Sequence, residues 1–314
     1  MEFILKDFGK LLKNNHMAMR RYFTPLGTNV YRVYDKNISS LPVTVDLYGH
    51  NVYILDYREG LDFNDPGEEE IVDIASKMLY VKNNQVFYKN RKTRNGISQH
   101  TKIDNSGNLI EVQENGLKFL VNLRDYIDTG LFPDHRKTRE MVRDRAAGKK
   151  VLNLFAYTGS FSVYAAAGGA ALIDTVDLSA NYNRWGEDNF RLNGFANPDY
   201  KFHSIDTAEF LRDARNNWKR YDIIVIDPPT FSNSRKMEGT FDIQRDYVSM
   251  IKVCLDLLNK EGDIIFSTNY TKFHFDPSRF KNIELKNITK ATIDEDFSKK
   301  SKAHRCWLIN KTAI

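Results

Sequence analysis

Apolar stretches with the character of buried strands recur through the second half of the chain, and segments of helical character separate them. The stretches are VLNLFAY (151–157), LIDTVDL (172–178), KFHSID (201–206), YDIIVID (221–227) and GDIIFSTN (262–269). Helices are predicted after residue 157 and at about 182–192, 207–217 and 245–259. Strands that alternate with helices at this spacing favour right-handed crossovers and an α/β fold with a parallel sheet. The last stretch, HRCWLINK (304–311), would then be an edge strand.

The first half of the chain has a different pattern, which predicts a smaller α/β domain. Apolar residues three and four positions apart in the first 23 residues predict a helix with a basic outer face. β-rich stretches lie at 30–35, 43–48 and 51–57, a helix is expected from Asp65 to about Tyr80, and strands follow at about 85–89, 109–114 and 117–123. We therefore divide the chain into a basic N-terminal helix (1–28), a small α/β domain of β-β-α-β-β-like order (29–121) and a larger domain (122–314).

Composition limits the classes of protein to which the chain can belong. A hydrophobic content of 41% with 12% aromatic residues is that of a globular protein. The net charge of +5 fits a nucleic-acid partner, although enzymes of other kinds share it. Cys254 and Cys306 have no metal-ligand spacing, so we expect a reduced, cytoplasmic setting and no metal. Charges within the first ten residues argue against a signal peptide, and the polar residues and glycines of 151–173 argue against a membrane span.

Residues that follow the predicted parallel strands are the candidates for a binding site, because ligands lie outside the carboxyl ends of such strands. After the first strand, AYTGSFS (156–162) contains Gly159, which lets backbone approach a ligand, and it opens a helix with unpaired N–H groups. The loop is not G-x-G-x-x-G, so the dinucleotide fingerprint is missing. A tight strand-to-helix turn explains the loop equally well.

Acidic residues end the next three strands. Asp177 is placed to accept both hydroxyls of a ribose, although it or Ser179 could instead cap the following helix. Asp206 is placed to accept from an exocyclic amine, or equally to cap the helix at Thr207. The fourth strand ends with Asp227-Pro228-Pro229, where the prolines stiffen the chain. Three acids on consecutive strands beside a glycine loop favour a functional site.

These strand ends match the site plan of S-adenosylmethionine-dependent methyltransferases, whose cofactor has no phosphate and needs no G-x-G-x-x-G loop. A closer resemblance is carried by DYIDTGLFPDHR (125–136), NLFAYTGS (153–160), TVDLS (175–179), RLNG (191–194), IDPPTFSNS (226–234), FDIQRDY (241–247) and HRCWLI (304–309). From about Val30 to the C-terminus the chain resembles the bacterial large-subunit ribosomal RNA guanine-N7 methyltransferases. In some bacteria that enzyme is the C-terminal half of a fused protein with two methyltransferases.

The resemblance implies a Rossmann-like class I methyltransferase sheet, S-adenosylmethionine as cofactor, S-adenosylhomocysteine as its product, and 7-methylguanosine in large-subunit ribosomal RNA. It also implies the cofactor-binding residues Thr129, Asp134, Arg136, Phe155, Tyr157, Thr158, Gly159, Ser160, Asp177, Ser179, Asp206 and Thr207. The fused relative carries an RNA-binding module and a second methyltransferase upstream, and the 314 residues contain neither. We therefore expect RNA capture by the chain's own basic surface or by a separate RNA-binding methyltransferase partner.

Methyl transfer from a sulfonium is an in-line displacement, in which the enzyme aligns the acceptor lone pair with the methyl group and excludes water. Guanine N7 carries no proton at neutral pH, so no general base is required, and no histidine stands in the Asp-Pro-Pro loop. Asp227 and Pro228 are the candidate catalytic residues, because they would position the base. Pro229 and Phe231 are candidate substrate contacts, and Phe231 would either stack on the base or pack under the loop.

Other functions remain open on the same fold. Cytosine-C5 methylation needs a thiolate, and no cysteine lies in the 25 residues after Asp227. Amino methylation, as at guanine N2, usually accompanies an N/D-P-P-Y/F run, which Thr230 interrupts here. A non-catalytic RNA-binding or ribosome-assembly factor would have lost cofactor positions, and none of the strand-end candidates is lost.

Three basic clusters, at 89–94, 135–145 and 299–305, are candidate contacts to RNA phosphates, although such clusters are more often solvated faces. In the first of them, Lys92 and Arg94 are the predicted substrate contacts. The expected partner is large-subunit ribosomal RNA, and no membrane is expected.

Overall fold

A computed structural model of the chain describes residues 2–60, 65–91, 107–232, 240–297 and 303–312. The chain forms two compact units. The first comprises Met1–Pro133 and Glu295–Ser298, and the second comprises Asp134–Asp294 and Lys299–Ile314. The domain limits expected from the sequence, at residues 28 and 121, stay predictions.

The first unit contains a four-stranded sheet, two helices and a separate hairpin. Its elements are α1 (Glu2–Phe23), β1 (Val30–Asp35), β2 (Val43–Tyr48), β3 (Asn51–Asp56), α2 (Glu68–Leu79), β4 (Val86–Asn90), β5 (Ile110–Glu114) and β6 (Leu117–Val121). The sheet has the order β1-β2-β3-β4, antiparallel except for the parallel pair of β3 and β4. Three strands therefore precede α2, and β5 and β6 form the hairpin.

Both helices of the first unit bury one apolar side in a core shared with this sheet. On α1, Phe8, Leu12 and Phe23 are fully buried, and they belong to one apolar cluster with residues of β1, β2 and α2. The two helices approach closely at Gly9, where an added Cβ would lie 3.3 Å from Ile74 Cγ2. Amphipathic spacing in the sequence thus translates directly into packing.

The second unit is a seven-stranded sheet with helices between its strands. Its elements are α3 (Arg136–Arg145), β7 (Lys150–Leu154), α4 (Ser160–Ala167), β8 (Leu172–Asp177), α5 (Ala180–Leu192), β9 (Tyr200–Ser204), α6 (Thr207–Asn216), β10 (Tyr221–Ile226), β11 (Phe231–Ser232), β12 (Phe241–Asp242), α7 (Ile243–Leu257), β13 (Leu258–Thr268), β14 (Ile283–Asn287), α8 (Thr289–Thr292) and β15 (Arg305–Lys311). The strand order is β14-β15-β13-β10-β7-β8-β9.

The sheet is parallel from β13 to β9, as the alternating pattern predicts. The expectation that the last strand lies at an edge is wrong. β15 runs antiparallel between β13 and β14, with Ile309 opposite both Ile264 and Leu285. The true edge strand, β14, was missed because its sequence, IELKN, needs only one apolar side and is mostly polar.

Strand order reverses at β7, whose neighbours are β8 on one side and β10 on the other. A crevice opens at the carboxyl ends of the strands at such a switch point. The uncharged segment 151–173 forms β7, α4 and the start of β8, as predicted. Within the described part of the chain, no helix has both the length and the apolar character needed to cross a bilayer.

Candidate functional site

The loop after β7 is held in a conformation that most residues avoid. Phe155, Tyr157 and Gly159 have φ angles of 54°, 52° and 71°, in the left-handed region. Such angles cost free energy for residues other than glycine, so the surroundings must enforce them. Ala156 N donates to Val176 O at 3.0 Å, and Tyr157 N donates to Asp177 Oδ2 at 2.9 Å. The end of β8 therefore fixes the loop beside it.

Helix α5 supports the same loop from below through two residues that sequence reasoning missed. Gly186 has no room for a side chain, because a Cβ would lie 2.6 Å from Phe202 Cε1 and 3.3 Å from Thr158 O. One turn on, the buried Asn189 donates from Nδ2 to Thr158 O at 3.0 Å. A glycine and an asparagine spaced three apart on a helix are a weak signal without the fold.

Asp177 binds backbone with both carboxylate oxygens. Oδ2 accepts from Tyr157 N, and Oδ1 accepts from Ser179 N at 2.8 Å. Ser179 is the N-cap of α5, because its Oγ accepts from Tyr182 N at 3.4 Å. An ionised carboxylate has about four acceptor positions, so holding the loop is compatible with binding ribose hydroxyls.

Asp206 is the N-cap of α6. Its Oδ1 accepts from Ala208 N at 2.9 Å and from Glu209 N at 3.2 Å, and Thr207 is the buried first residue of the helix. The capping alternative weighed for Asp206 is therefore what the geometry shows. Both bonds use Oδ1, and its contact with a cofactor stays a prediction.

The Asp-Pro-Pro loop is fixed by its neighbour in the sheet. β10 pairs with β13 up to Ile226 and Phe266, so the next residues, Asp227 and Ser267, lie side by side. Ser267 Oγ donates to Asp227 Oδ1 at 2.6 Å. Pro228 is buried, whereas Phe231 is 44% exposed. The start of the loop is thus held in place, and the aromatic ring of Phe231 is accessible to solvent and to a ligand.

Two buried histidines lie beside this loop, and sequence reasoning missed both. His135 and His304 stack with their ring centroids 4.2 Å apart and their planes 19° apart. His135 Nε2 lies 3.6 Å from Asp227 Oδ2, and His304 Nδ1 lies 3.2 Å from Asp134 Oδ2. The Asp-Pro-Pro loop contains no histidine, but His135 of another segment lies beside it.

Burial keeps the His135 imidazole neutral, while the charges around it act in both directions. Burial lowers the pKa of His135, Asp227 and Asp134 oppose that shift, and His304 and Arg139 add to it. Because the net shift of the pKa is downward from 6.5, the ring is unprotonated at pH 7. A neutral imidazole has one N–H donor and one acceptor nitrogen.

Asp134, His135 and His304 could also be considered as metal ligands, since each offers one ligand atom within 4.8 Å of the others. Metal-bound imidazoles almost always donate from the second ring nitrogen. Nδ1 of His135 is buried without a hydrogen-bond partner among the residues described. His304 has such a contact, because its Nε2 lies 2.9 Å from Thr292 Oγ1, so the support expected of a metal centre is present at one of the two rings.

Four predicted site residues are not among the described side chains that meet around Asp227. Arg136 is buried in an ion pair with Asp294, with Nη1 2.9 Å from Oδ2, so its cofactor contact stays a prediction. Thr129 belongs to the first unit, where its Oγ1 is 2.8 Å from Tyr48 Oη. Lys92 and Arg94 lie outside the described residues.

The basic cluster 135–145 forms α3, and it is not a uniformly solvated face. Arg136 and Arg139 are both 1% exposed, so these two arginines are not available to RNA phosphates. Both cysteines are buried, and burial raises the pKa of each thiol. Neither is in a state suited to nucleophilic attack.

Comparisons with known proteins agree on one family. Residues 90–278 match the family described as S-adenosylmethionine-dependent methyltransferase. The chain is 40% identical to ribosomal RNA large subunit methyltransferase K of Neisseria meningitidis serogroup B, over 97% of this chain and 87% of that protein. It is 40% identical to ribosomal RNA large subunit methyltransferase K/L of Syntrophotalea carbinolica, over 97% of this chain and 43% of that protein.

This chain therefore spans less than half of the K/L relative, and most of the relative that is named K alone. Among solved structures, SMU.776 complexed with SAH superposes with a TM-score of 0.78 and 28% sequence identity. The match covers 97% of this chain and 81% of that one.

Proposed function

The chain belongs to the S-adenosylmethionine-dependent methyltransferases, and from that premise we propose that it methylates N7 of a guanine in large-subunit ribosomal RNA. S-Adenosylmethionine supplies an electrophilic methyl group on its sulfonium. The substrate rests on the likeness to the relatives named for large-subunit RNA, and N7 rests on the chemistry of the site.

The cofactor fits the carboxyl ends of β7, β8 and β9. The left-handed loop Phe155–Ser160 turns the chain sharply there, and Asp177 reaches the same loop. Together with Ser179, these residues would hold the nucleoside part of the cofactor. Asp206 and Thr207 would lie beside its adenine. Asp134, at the start of the second unit, would face the amino-acid part.

The observation that carries the choice of reaction is the rigid Asp227-Pro228-Pro229 loop with exposed Phe231 and no reactive thiol. Ser267 fixes the Asp227 carboxylate, and the prolines fix the backbone after it. Phe231 would stack on a guanine that has left its helix, as aromatic side chains do with unpaired RNA bases. With the base held still, the N7 lone pair can attack in line, and no proton has to leave.

Cytosine-C5 methylation is disfavoured by the state of the thiols. Cys254 and Cys306 are both 0% exposed, and their raised pKa values keep the sulfur protonated at pH 7. A C5 enzyme needs a thiolate that reaches the pyrimidine ring.

Amino methylation of guanine is the second candidate, and His135 favours it. An exocyclic amine loses a proton during transfer, and a neutral imidazole 3.6 Å from Asp227 is a group that could take it. Against this, His135 is only 6% exposed, whereas the Asp227 side chain is 29% exposed. We therefore place N7 first.

The identity of the methylated nucleoside decides between these reactions. Purified protein is incubated with methyl-labelled S-adenosylmethionine and unmodified large-subunit ribosomal RNA, and the RNA is digested to nucleosides. Label in 7-methylguanosine supports the proposal. Label in N2-methylguanosine would move the reaction to the amine, and label in 5-methylcytidine would contradict the argument from the buried thiols. Small-subunit RNA serves as the control substrate.

A further inference from the structure

We propose that His135 and His304 form a buried imidazole pair that holds Asp227 and Asp134 in register, and that both are positioning residues for methyl transfer. This inference rests on the proposed function, because it assigns Asp227 to the acceptor base. It adds two residues that neither the strand-end pattern nor the Asp-Pro-Pro loop contains.

The Asp227 carboxylate is reached from two sides. Ser267 Oγ donates to Oδ1 at 2.6 Å, and His135 Nε2 faces Oδ2 at 3.6 Å. The second distance is longer than a hydrogen bond, and contacts in catalytic sites often tighten only once substrate binds. Ser267 therefore fixes one oxygen of the carboxylate, and His135 lies within reach of the other.

Asp134 has a matching contact to the other ring. His304 Nδ1 lies 3.2 Å from Asp134 Oδ2, and His304 Nε2 lies 2.9 Å from Thr292 Oγ1. A proton on Nδ1 lets His304 donate to the Asp134 carboxylate, and Nε2 faces the Thr292 hydroxyl, which also lies 3.0 Å from Thr289 O. His304 is 1% exposed, so this bond is shielded from water.

Stacking of the two imidazole rings connects the His135–Asp227 contact with the His304–Asp134 contact. The rings lie 4.2 Å apart and 19° from parallel, and His135 also packs edge-on against Phe161 at 5.7 Å. Asp134 and His135 precede α3, Asp227 follows β10, and His304 precedes β15. Three segments far apart in sequence are thus coupled, and a shift of one carboxylate is resisted by the other ring.

Conservative and truncating variants of the two histidines separate positioning from other roles. His135→Gln places an amide nitrogen near the Nε2 position, and His304→Asn places one near Nδ1. His135→Ala and His304→Ala each remove the nitrogen together with the ring. A displacement of about 1 Å can cost as much as 10²-fold in rate. We expect both alanine variants to lose at least tenfold in kcat. His135→Ala should keep the KM for RNA and the affinity for S-adenosylmethionine within about threefold, whereas His304→Ala should also weaken cofactor binding, because Asp134 would face the cofactor. The amide variants should recover at least a third of kcat.

The matched control is His203→Gln. His203 also places Nε2 against a buried carboxylate, 2.6 Å from Asp174 Oδ1, on β9 outside this cluster. It should keep the wild-type kcat. Full kcat in His135→Ala would overturn the proposal. Failure of His135→Gln as complete as that of His135→Ala would contradict positioning through the Nε2 contact. Stoichiometric metal that is lost in His135→Ala would replace the hydrogen-bond account with a metal site.

The rate is scored on whichever nucleoside becomes methylated, so failure of the N7 assignment leaves this test intact. A second measurement does not depend on catalytic activity, so it also applies if the purified chain is inactive by itself. In protein labelled with ¹⁵N-histidine, the Nε2–H signal of His135 should shift in Asp227→Asn and stay in place in Asp174→Asn. Equal insensitivity to both changes would refute the contact.

Discussion

Asp174 lies in β8 and Asp227 follows β10, and their surroundings differ. Asp174 is 2% exposed and accepts from Tyr221 Oη at 2.6 Å, from His203 Nε2 at 2.6 Å and from Lys219 Nζ at 3.1 Å. Asp227 is 29% exposed at its side chain and lies where the strand order reverses. The first carboxylate is held by three structural partners, and the second is partly open to solvent.

The network around Asp174 predicts a pH-dependent loss of stability. Burial alone would raise the pKa of Asp174, but bonds from His203, Tyr221 and Lys219 outweigh it and lower the pKa from 3.8 to about 2. A lowered carboxylate pKa stabilises the fold fully above about pH 4, and that stability is lost as the pH falls toward 2. Asp174→Asn should cost about 2 kcal/mol in urea unfolding at pH 7.

The difference between wild type and Asp174→Asn should shrink between pH 4 and pH 2.5. Asp213→Asn, an exposed acid on α6, is the control and should be neutral. An Asp174→Asn protein as stable as wild type at pH 7 would contradict the assignment.

Phe231 provides a prediction about base stacking. Stacking of an RNA base on an aromatic side chain is worth about 1–3 kcal/mol, so Phe231→Ala should raise the KM for RNA at least fivefold. Trp218→Ala is the matched control, because Trp218 is 79% exposed and precedes the same strand that Phe231 follows. Equal effects of the two changes, measured in initial-rate assays, would remove Phe231 from the substrate site.

Among the secondary-structure elements, the local sequence pattern predicts most of the strands and helices. It fails where a strand forms only because a neighbouring strand pairs with it. The β10 stretch is a continuous apolar run because both sides of that strand are buried, and such runs are conspicuous. β14 is half solvated and short, so nothing in its five residues distinguishes it from a loop. Asp206 caps a helix and Asp177 holds a loop, and both begin a helix-forming segment, so sequence alone left the two alternatives open.

Close packing of α5 against the glycine loop predicts the effect of one added methyl group. Gly186→Ala would place a Cβ 2.6 Å from Phe202 Cε1, and overpacking of this kind typically costs about 1–3 kcal/mol. Because the displaced helix supports Thr158, the affinity for S-adenosylmethionine should fall at least tenfold in calorimetric titration. Gly60→Ala, where nothing lies within 4 Å, should change neither quantity. Normal cofactor affinity in Gly186→Ala would show that the loop does not depend on α5.

For the molecule as a whole, the sequence indicates the fold class and the strand-end acids, and it cannot indicate the histidine cluster. His135 and His304 are separated by most of the second unit's sequence, and each alone resembles an ordinary core histidine. Their pairing exists only because the residues before α3 and before β15 come together in the folded unit. The same holds for Arg136, whose partner Asp294 is 158 residues away.

RNA capture is predicted to depend on the cluster around Lys92 and Arg94. Changing both to glutamate should weaken RNA binding in a filter assay and leave the affinity for S-adenosylmethionine unchanged, because phosphate contacts act through charge. Lys281→Glu with Lys286→Glu is the matched control, since both lysines are exposed at the sheet edge formed by β14. Equal loss in both double variants would indicate a general effect of net charge.

Asp227 and its loop are proposed to present a guanine for methylation at N7. Borohydride reduction followed by aniline cleaves RNA at 7-methylguanosine, so primer extension on treated RNA maps the product to a nucleotide. The account predicts one protein-dependent stop at a guanine in large-subunit RNA, which Asp227→Ala abolishes while still binding S-adenosylmethionine. Methyl incorporation without any such stop would contradict the claim.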